Sequence, residues 1–122
     1  MKSLIVDDSK AMRRLLTAYI QANDIEVVEA CDGQDALEKL QEETDFNFAL
    51  VDWDMPRMNG LEFVKAVRSN SAFDNMTVMM VTSHNSMDDI SQAIEEGSND
   101  FLMKPFTEEM INEKLRMLGF VN

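Results

Sequence analysis

The stretch Phe48-Ala49-Leu50-Val51-Asp52-Trp53-Asp54 holds four successive apolar residues and then breaks into acid. Polar residues do not alternate with the apolar ones, so a strand here is covered on both faces, as in a parallel sheet sandwiched between helices. Runs of the same kind predict further strands at Ser3–Asp7, Glu26–Ala30, Thr77–Thr82 and Asp100–Met103, with the quoted one at Phe48–Asp52. Segments of helical period separate them. Five strand-helix units in this alternation read as an α/β domain with a parallel sheet.

The first helical segment carries Met12, Leu15, Leu16, Tyr19 and Ile20 at i, i+3, i+4, i+7 and i+8, which turns one face to the core and leaves Arg13 and Arg14 outside. Ala36, Leu37 and Leu40 mark the second helix, and Phe63, Val64 and Val67 the third. Ile90, Ala93 and Ile94 mark the fourth, closed by Gly97. Thr107 can cap the fifth, which runs from Glu108 and Glu109 to Lys114 and Arg116, the charge order a helix dipole favours, and ends near Gly119. At 122 residues the chain fits a single domain, residues 1–122, with no effector domain attached.

Composition narrows the function. Eleven basic against 23 acidic residues give a net charge of -12, which repels a polyanion, so direct nucleic-acid binding is not expected. No apolar stretch approaches the ~20 residues of a membrane span, and Met1 to Asp8 resembles no export signal. The single cysteine, Cys31, closes an apolar stretch and is expected to be a small buried hydrophobe. A cytoplasmic location follows as an expectation.

In an open parallel sheet, ligands bind beyond the carboxyl ends of the strands. There the first strand offers Asp7-Asp8, the third Asp52-Trp53-Asp54 and the fourth Thr82-Ser83, while Lys104-Pro105 follows the fifth. Two carboxylates brought within ~4 Å repel by roughly 4 kcal/mol at an effective dielectric of 20, so a cation belongs among them. An all-oxygen set suits a hard divalent ion such as Mg²⁺, which keeps several waters. With Lys104 and a hydroxyl nearby, the group handled would be phosphoryl, and an Asp oxygen can act as its nucleophile. Singly, each residue has a plainer reading: Asp-Asp before a helix is commonly a cap, Thr at a strand end a local hydrogen bond, Lys-Pro a turn. Trp53 reads as a partly exposed rim residue that packs.

Leu4-Ile5-Val6-Asp7-Asp8-Ser9, Ala49 through Gly60, Val81-Thr82-Ser83 and Phe101-Leu102-Met103-Lys104-Pro105-Phe106 together resemble the receiver domains of two-component response regulators, of the single-domain chemotaxis-regulator type. The resemblance implies a flavodoxin-like (βα)5 fold with strand order 2-1-3-4-5. It implies phosphorylation of Asp52 and Mg²⁺ (or Mn²⁺) held by Asp7, Asp8, Asp52 and the backbone carbonyl of Asp54. It further implies Thr82 and Lys104 on the phosphoryl group, Phe101 as an aromatic that turns inward on activation, and a cis Lys104-Pro105 bond. Asp54 and His84, two residues after Asp52 and Thr82, would border the water path and tune phosphoryl lifetime, although a loop histidine can also be merely solvated. The donor would be a histidine kinase or a histidine phosphotransfer protein, the target another protein, and the receiver a monomer that catalyses its own modification. The readout face would be the fourth helix, fifth strand and fifth helix.

Three rivals stand beside the switch. A phosphorelay shuttle would use the same residues, and a phosphorylation-independent adaptor would be free to lose the acidic pair or the lysine. A haloacid-dehalogenase-type phosphohydrolase would use Asp52-Trp53-Asp54 as nucleophile and acid, but that family places Asp-x-Asp on its first strand, with Thr or Val next, where this chain has Met55.

Overall fold

A computed structural model describes residues 1–122. The elements are β1 (Lys2–Val6), α1 (Lys10–Gln21), β2 (Glu26–Ala30), α2 (Gly33–Glu42), β3 (Phe48–Asp52) and α3 (Gly60–Arg68). After a 3-10 turn at Ser71–Phe73 come β4 (Thr77–Thr82), α4 (Met87–Glu96), β5 (Asp100–Met103) and α5 (Glu108–Met117). All pairings are parallel, in the order β2-β1-β3-β4-β5. The crossover between β2 and β3 puts β1 and β3 side by side at the centre, and β3 is buried along its whole length.

Alternate residues of the strands feed two cores. Leu4, Val6, Ala49, Val51, Val78 and Met80 pack with α2, α3 and Ala93 of α4, whereas Ile5, Leu50, Met79, Val81 and Leu102 pack with Leu16, Ile20, Ile111 and Leu115 of α1 and α5. The chain thus places α1 and α5 on one face and α2, α3 and α4 on the other. Side-chain oxygens of Ser9, Asp32, Asn59, Ser86 and Thr107 cap the five helices, each accepting a main-chain N–H three residues on. Gly97 closes α4 in the left-handed region at φ +116°. One guanidinium, that of Arg68, rivets the far side: it donates to the carbonyls of Gly97 (3.0 Å), Phe73 (2.8 Å) and Met76 (2.8 Å) and to Asn99 Oδ1 (2.8 Å).

Several sequence expectations shift. β1 starts and stops one residue before Ser3–Asp7: Asp7 N–H still reaches the Ala30 carbonyl at 3.1 Å, but its carboxylate accepts from Ser9 N–H at 2.8 Å in the turn that leads into α1. Leu15 is 41% exposed beside the β5-α5 loop, and Ile94 46% exposed on α4, so the apolar stripes of both helices are only partly covered. Arg13 is not outside: its side chain is 16% exposed, donating to the Asp7 carbonyl at 2.7 Å and facing Glu29 at 3.4 Å. Cys31 is exposed, since β2 is an edge strand and Cys31 follows its last residue, and the carboxylates of Asp32 and Asp35 add to desolvation in holding its thiol pKa up. Trp53 packs, as read, but is buried rather than on an exposed rim.

Candidate functional site

Every chemistry-bearing residue singled out in the sequence follows or ends a strand at one rim of the sheet. Asp7 and Asp8 leave β1, Asp52 ends β3, Thr82 ends β4 and Lys104 follows β5. The backbone ties these strand ends together: Trp53 N–H donates to the Val81 carbonyl at 3.1 Å, and Lys104 N–H to the Thr82 carbonyl at 2.9 Å. The Lys104-Pro105 bond is cis.

Asp52 is 4% exposed and accepts from Lys104 Nζ at 3.0 Å. Burial pushes its carboxyl pKa up, and the Lys104 ammonium beside it pulls the other way. Asp7 is 1% exposed and is likewise pushed up by burial, against the Ser9 N–H that it accepts. Its second oxygen, Oδ2, is buried without a partner. Carboxylate oxygens of Asp7, Asp8 and Asp52 lie within 4.8 Å of one another. An orphaned buried oxygen inside a three-carboxylate cluster is what a hard divalent cation satisfies, so the donor set fits Mg²⁺.

Thr82 is buried, and its Oγ1 accepts from His84 N–H at 2.8 Å. The His84 ring stacks on Trp53 with centroids 4.8 Å apart and planes at 25°. Its Nε2 stands 3.0 and 3.2 Å from the two carboxylate oxygens of Asp54, and its Nδ1 3.2 Å from Asp89 Oδ2. The hydrogen bond to Asp54 is the main cause that raises the imidazole pKa. His84 is therefore a partnered residue and not a solvated loop histidine. The Asp54 side chain, 67% exposed, is engaged by that ring.

Phe101 is half-buried at the edge of the α2-α3-α4 core and lines a groove between β5 and α5 with Met103, Met110 and Met117. The Lys114 ammonium sits 5.4 Å from its ring centre and 3.0 Å from Asp100. In this structure the ring thus faces the outer groove.

Sequence reasoning missed three residues that shape the rim. Arg13 holds the Asp7 carbonyl; the helical period assigned it outward because a period knows nothing of where the sheet ends. Arg57, in a left-handed backbone at φ +66°, pairs with the buried N-cap Asp32 and pins the loop after Asp52 to α2. Asp89 meets His84 from the first turn of α4. Arg13 and Asp89 lie in no quoted motif, and Arg57, although within Ala49 to Gly60, gives no sign in the sequence that its partner is Asp32.

A buried carboxylate under a lysine, a neighbouring hydroxyl and an acidic pair, all at the carboxyl rim of a doubly wound sheet, make up the chemistry of a phosphoryl-handling α/β domain. Residues 3–116 match the response regulator receiver domain, and the chain belongs to that family, as a CheY-like receiver of the kind phosphorylated on an aspartate in two-component signalling. It is 40% identical over 119 residues to the chemotaxis protein CheY1 of Helicobacter pylori, spanning 97% of this chain and 96% of that one. A CheY homolog of Campylobacter jejuni is 38% identical over 116 residues, 94% of this chain and 89% of its own length. Among solved structures, CheY4 of Vibrio cholerae superposes with a TM-score of 0.90 at 35% identity, covering 96% and 97% of the two chains. The flavodoxin-like order expected from the resemblance is the observed one. The phosphohydrolase alternative gains no support from these matches, and the Asp54 carboxylate that it would need as an acid beside the nucleophile is bound to His84.

Proposed function

We propose that Asp52 is the phosphoryl acceptor and that the chain is a switch charged by a phosphohistidine protein, either a histidine kinase or a histidine phosphotransfer protein. The observation that carries this is the placement of one buried carboxylate against Lys104 Nζ at 3.0 Å inside the acidic cluster. A carboxylate oxygen of Asp52 attacks phosphorus in line, the P–N bond to the donor imidazole breaks, and the imidazole departs with the bond's electron pair. Lys104 neutralises developing charge on the transferred group. Asp7, Asp8, Asp52 and the Asp54 carbonyl would hold Mg²⁺, with Mn²⁺ as a substitute, and the ion supplies charge neutralisation at the phosphoryl oxygens. The receiver is in this sense the catalyst of its own modification.

The phosphoryl group carries about -1.5 to -2 charge in place of the single charge of the carboxylate and brings three acceptor oxygens, which draw the Thr82 hydroxyl away from His84 N–H. Phe101 then leaves the outer groove for the space near Thr82, and α4, β5 and α5 present a changed surface to a downstream protein. His84 and Asp54 cover the acceptor and set how fast water removes the group. Labelling with a phosphorylated kinase or a small phosphodonor tests the reading: Asp52→Asn should take up none. Undiminished labelling of that variant refutes it.

A further inference from the structure

Asp89 lies five residues beyond His84 and on a different element, in the first turn of α4. Its main-chain N–H donates to the N-cap Ser86 Oγ at 3.1 Å, so capping of α4 does not need its carboxylate. That carboxylate turns to the β4-α4 loop instead, where Oδ2 stands 3.2 Å from His84 Nδ1. The imidazole is therefore held at both nitrogens, by Asp89 on one side and by Asp54 at 3.0 Å on the other, with one face on Trp53. A ring held at a single nitrogen pivots about that bond. Held at two and stacked, it keeps one orientation.

We infer that Asp89 is a positioning residue for His84, fixing the ring over Asp54 and thereby setting how long a phosphoryl group survives on Asp52; this rests on the proposed acceptor role of Asp52. Loss of the group occurs when a water oxygen attacks phosphorus and the P–O bond to Asp52 breaks. Inorganic phosphate leaves with the water's oxygen, and the Asp52 carboxylate is regenerated. Water must reach phosphorus for this, and a pinned His84-Asp54 pair narrows the approach. A freed ring opens it. The same contact ties the first turn of α4 to the acceptor loop, since Asp54 follows β3 and Asp89 belongs to α4.

The side chains of His84 and Asp89 are 35% and 38% exposed, so removing the contact leaves the fold intact and shifts the lifetime by about two- to fivefold, the factor typical of an exposed ion pair. The test uses the full chain at fixed pH and saturating Mg²⁺, charged with phosphoramidate, freed of donor and followed for loss of phosphate. Asp89→Ala should shorten the lifetime, and Asp89→Asn, which keeps an oxygen to accept from Nδ1–H, should restore most of it. In a His84→Ala background Asp89→Ala should change nothing further. An equal effect in both backgrounds overturns the inference, because Asp89 would then act through the helix rather than the ring. Trp53, the single tryptophan, gives a reading without any phosphoryl group: Asp89→Ala should change its emission only when His84 is present. An unchanged spectrum overturns the inference whether or not Asp52 is charged, while a wild type that takes no phosphate alongside a changed spectrum overturns the acceptor role and the lifetime claim with it.

Discussion

Gly60 opens α3 directly behind the proposed acceptor, and a methyl group added there has nowhere to go. A Cβ at Gly60 would sit 2.5 Å from the Asp52 carbonyl oxygen, 2.7 Å from Met80 Cε and 2.9 Å from Trp53 Cα. Met80 can swing its terminal methyl aside. The other two atoms are backbone, pinned by Gly60 N–H to the Trp53 carbonyl at 2.8 Å and by Trp53 N–H to the Val81 carbonyl at 3.1 Å. Restoring ordinary contact therefore means moving α3 and the end of β3 apart by about 0.9 Å, an overpacking strain of about 1–3 kcal/mol. With an unfolding entropy of about 0.26 kcal/mol/K for 122 residues, Gly60→Ala should melt about 4–12 °C below the wild type. The displaced peptide is that of Asp52 itself, and a shift approaching 1 Å at a reacting group slows transfer about 10- to 100-fold. Gly119→Ala is the control. Its φ is +85° with nothing within 4 Å, so it carries only left-handed strain of about 1–2 kcal/mol and should leave phosphorylation unchanged. Calorimetry and the rate of labelling by a small phosphodonor read both variants. A Gly60→Ala protein that melts with the wild type and is charged at its rate would refute the packing argument.

Divalent metal should stabilise the fold by relieving repulsion among Asp7, Asp8 and Asp52, by about 2.7 kcal/mol at 100-fold excess over Kd; superimposable melting curves in chelator and in Mg²⁺ would contradict this. Asp7→Asn should raise the midpoint in chelator, because burial disfavours the charged form of Asp7, and should abolish the Mg²⁺ shift. The raised His84 pKa means that the folded state binds the proton more tightly than the unfolded one. Its contribution to stability is thus fully present below the unfolded value of about 6.5 and lost as pH rises through the folded value. Denaturation profiles should show that loss in the wild type and not in His84→Ala. Arg68→Ala removes four charge-assisted hydrogen bonds and should cost about 3 kcal/mol, with Arg68→Lys recovering only a minority because an ammonium cannot reproduce the fork. Chemical denaturation measures both, and equal stability of Lys and Arg proteins would count against it.

The strands were legible because each is a short apolar run ended by a polar residue, and four of the five lie where the runs lie. β1 ends at Val6 although Asp7 N–H still donates to the Ala30 carbonyl at 3.1 Å, because beyond that bond the chain turns, with the Asp7 carboxylate accepting from Ser9 N–H, which no hydrophobic count registers. The strand order came from family resemblance; nothing in the periodicity of β2 says that it pairs with β1 rather than β3. Amphipathic spacing finds a helix face but not how far the sheet extends beneath it, hence the exposed Leu15 and the inward Arg13. The rim residues were readable as strand ends. The partners that organise them, Asp32 with Arg57 across 25 positions and Asp54 with His84 across 30, depend on loops meeting in space.

All the chemistry gathers where the strands finish, while the loops at Asn23–Asp24, Glu43–Asn47 and Asn70–Asn75 gather where they begin. The molecule has a reactive pole and an inert one, separated by the length of a five-residue strand, roughly 17 Å. The inert pole is a place for attachment: a dye, a tether or an inserted peptide on the exposed loop residues Asp24 or Thr44 would sit away from the acidic rim. A force or distance probe fixed there could follow a signalling event at the opposite end without taking part in it.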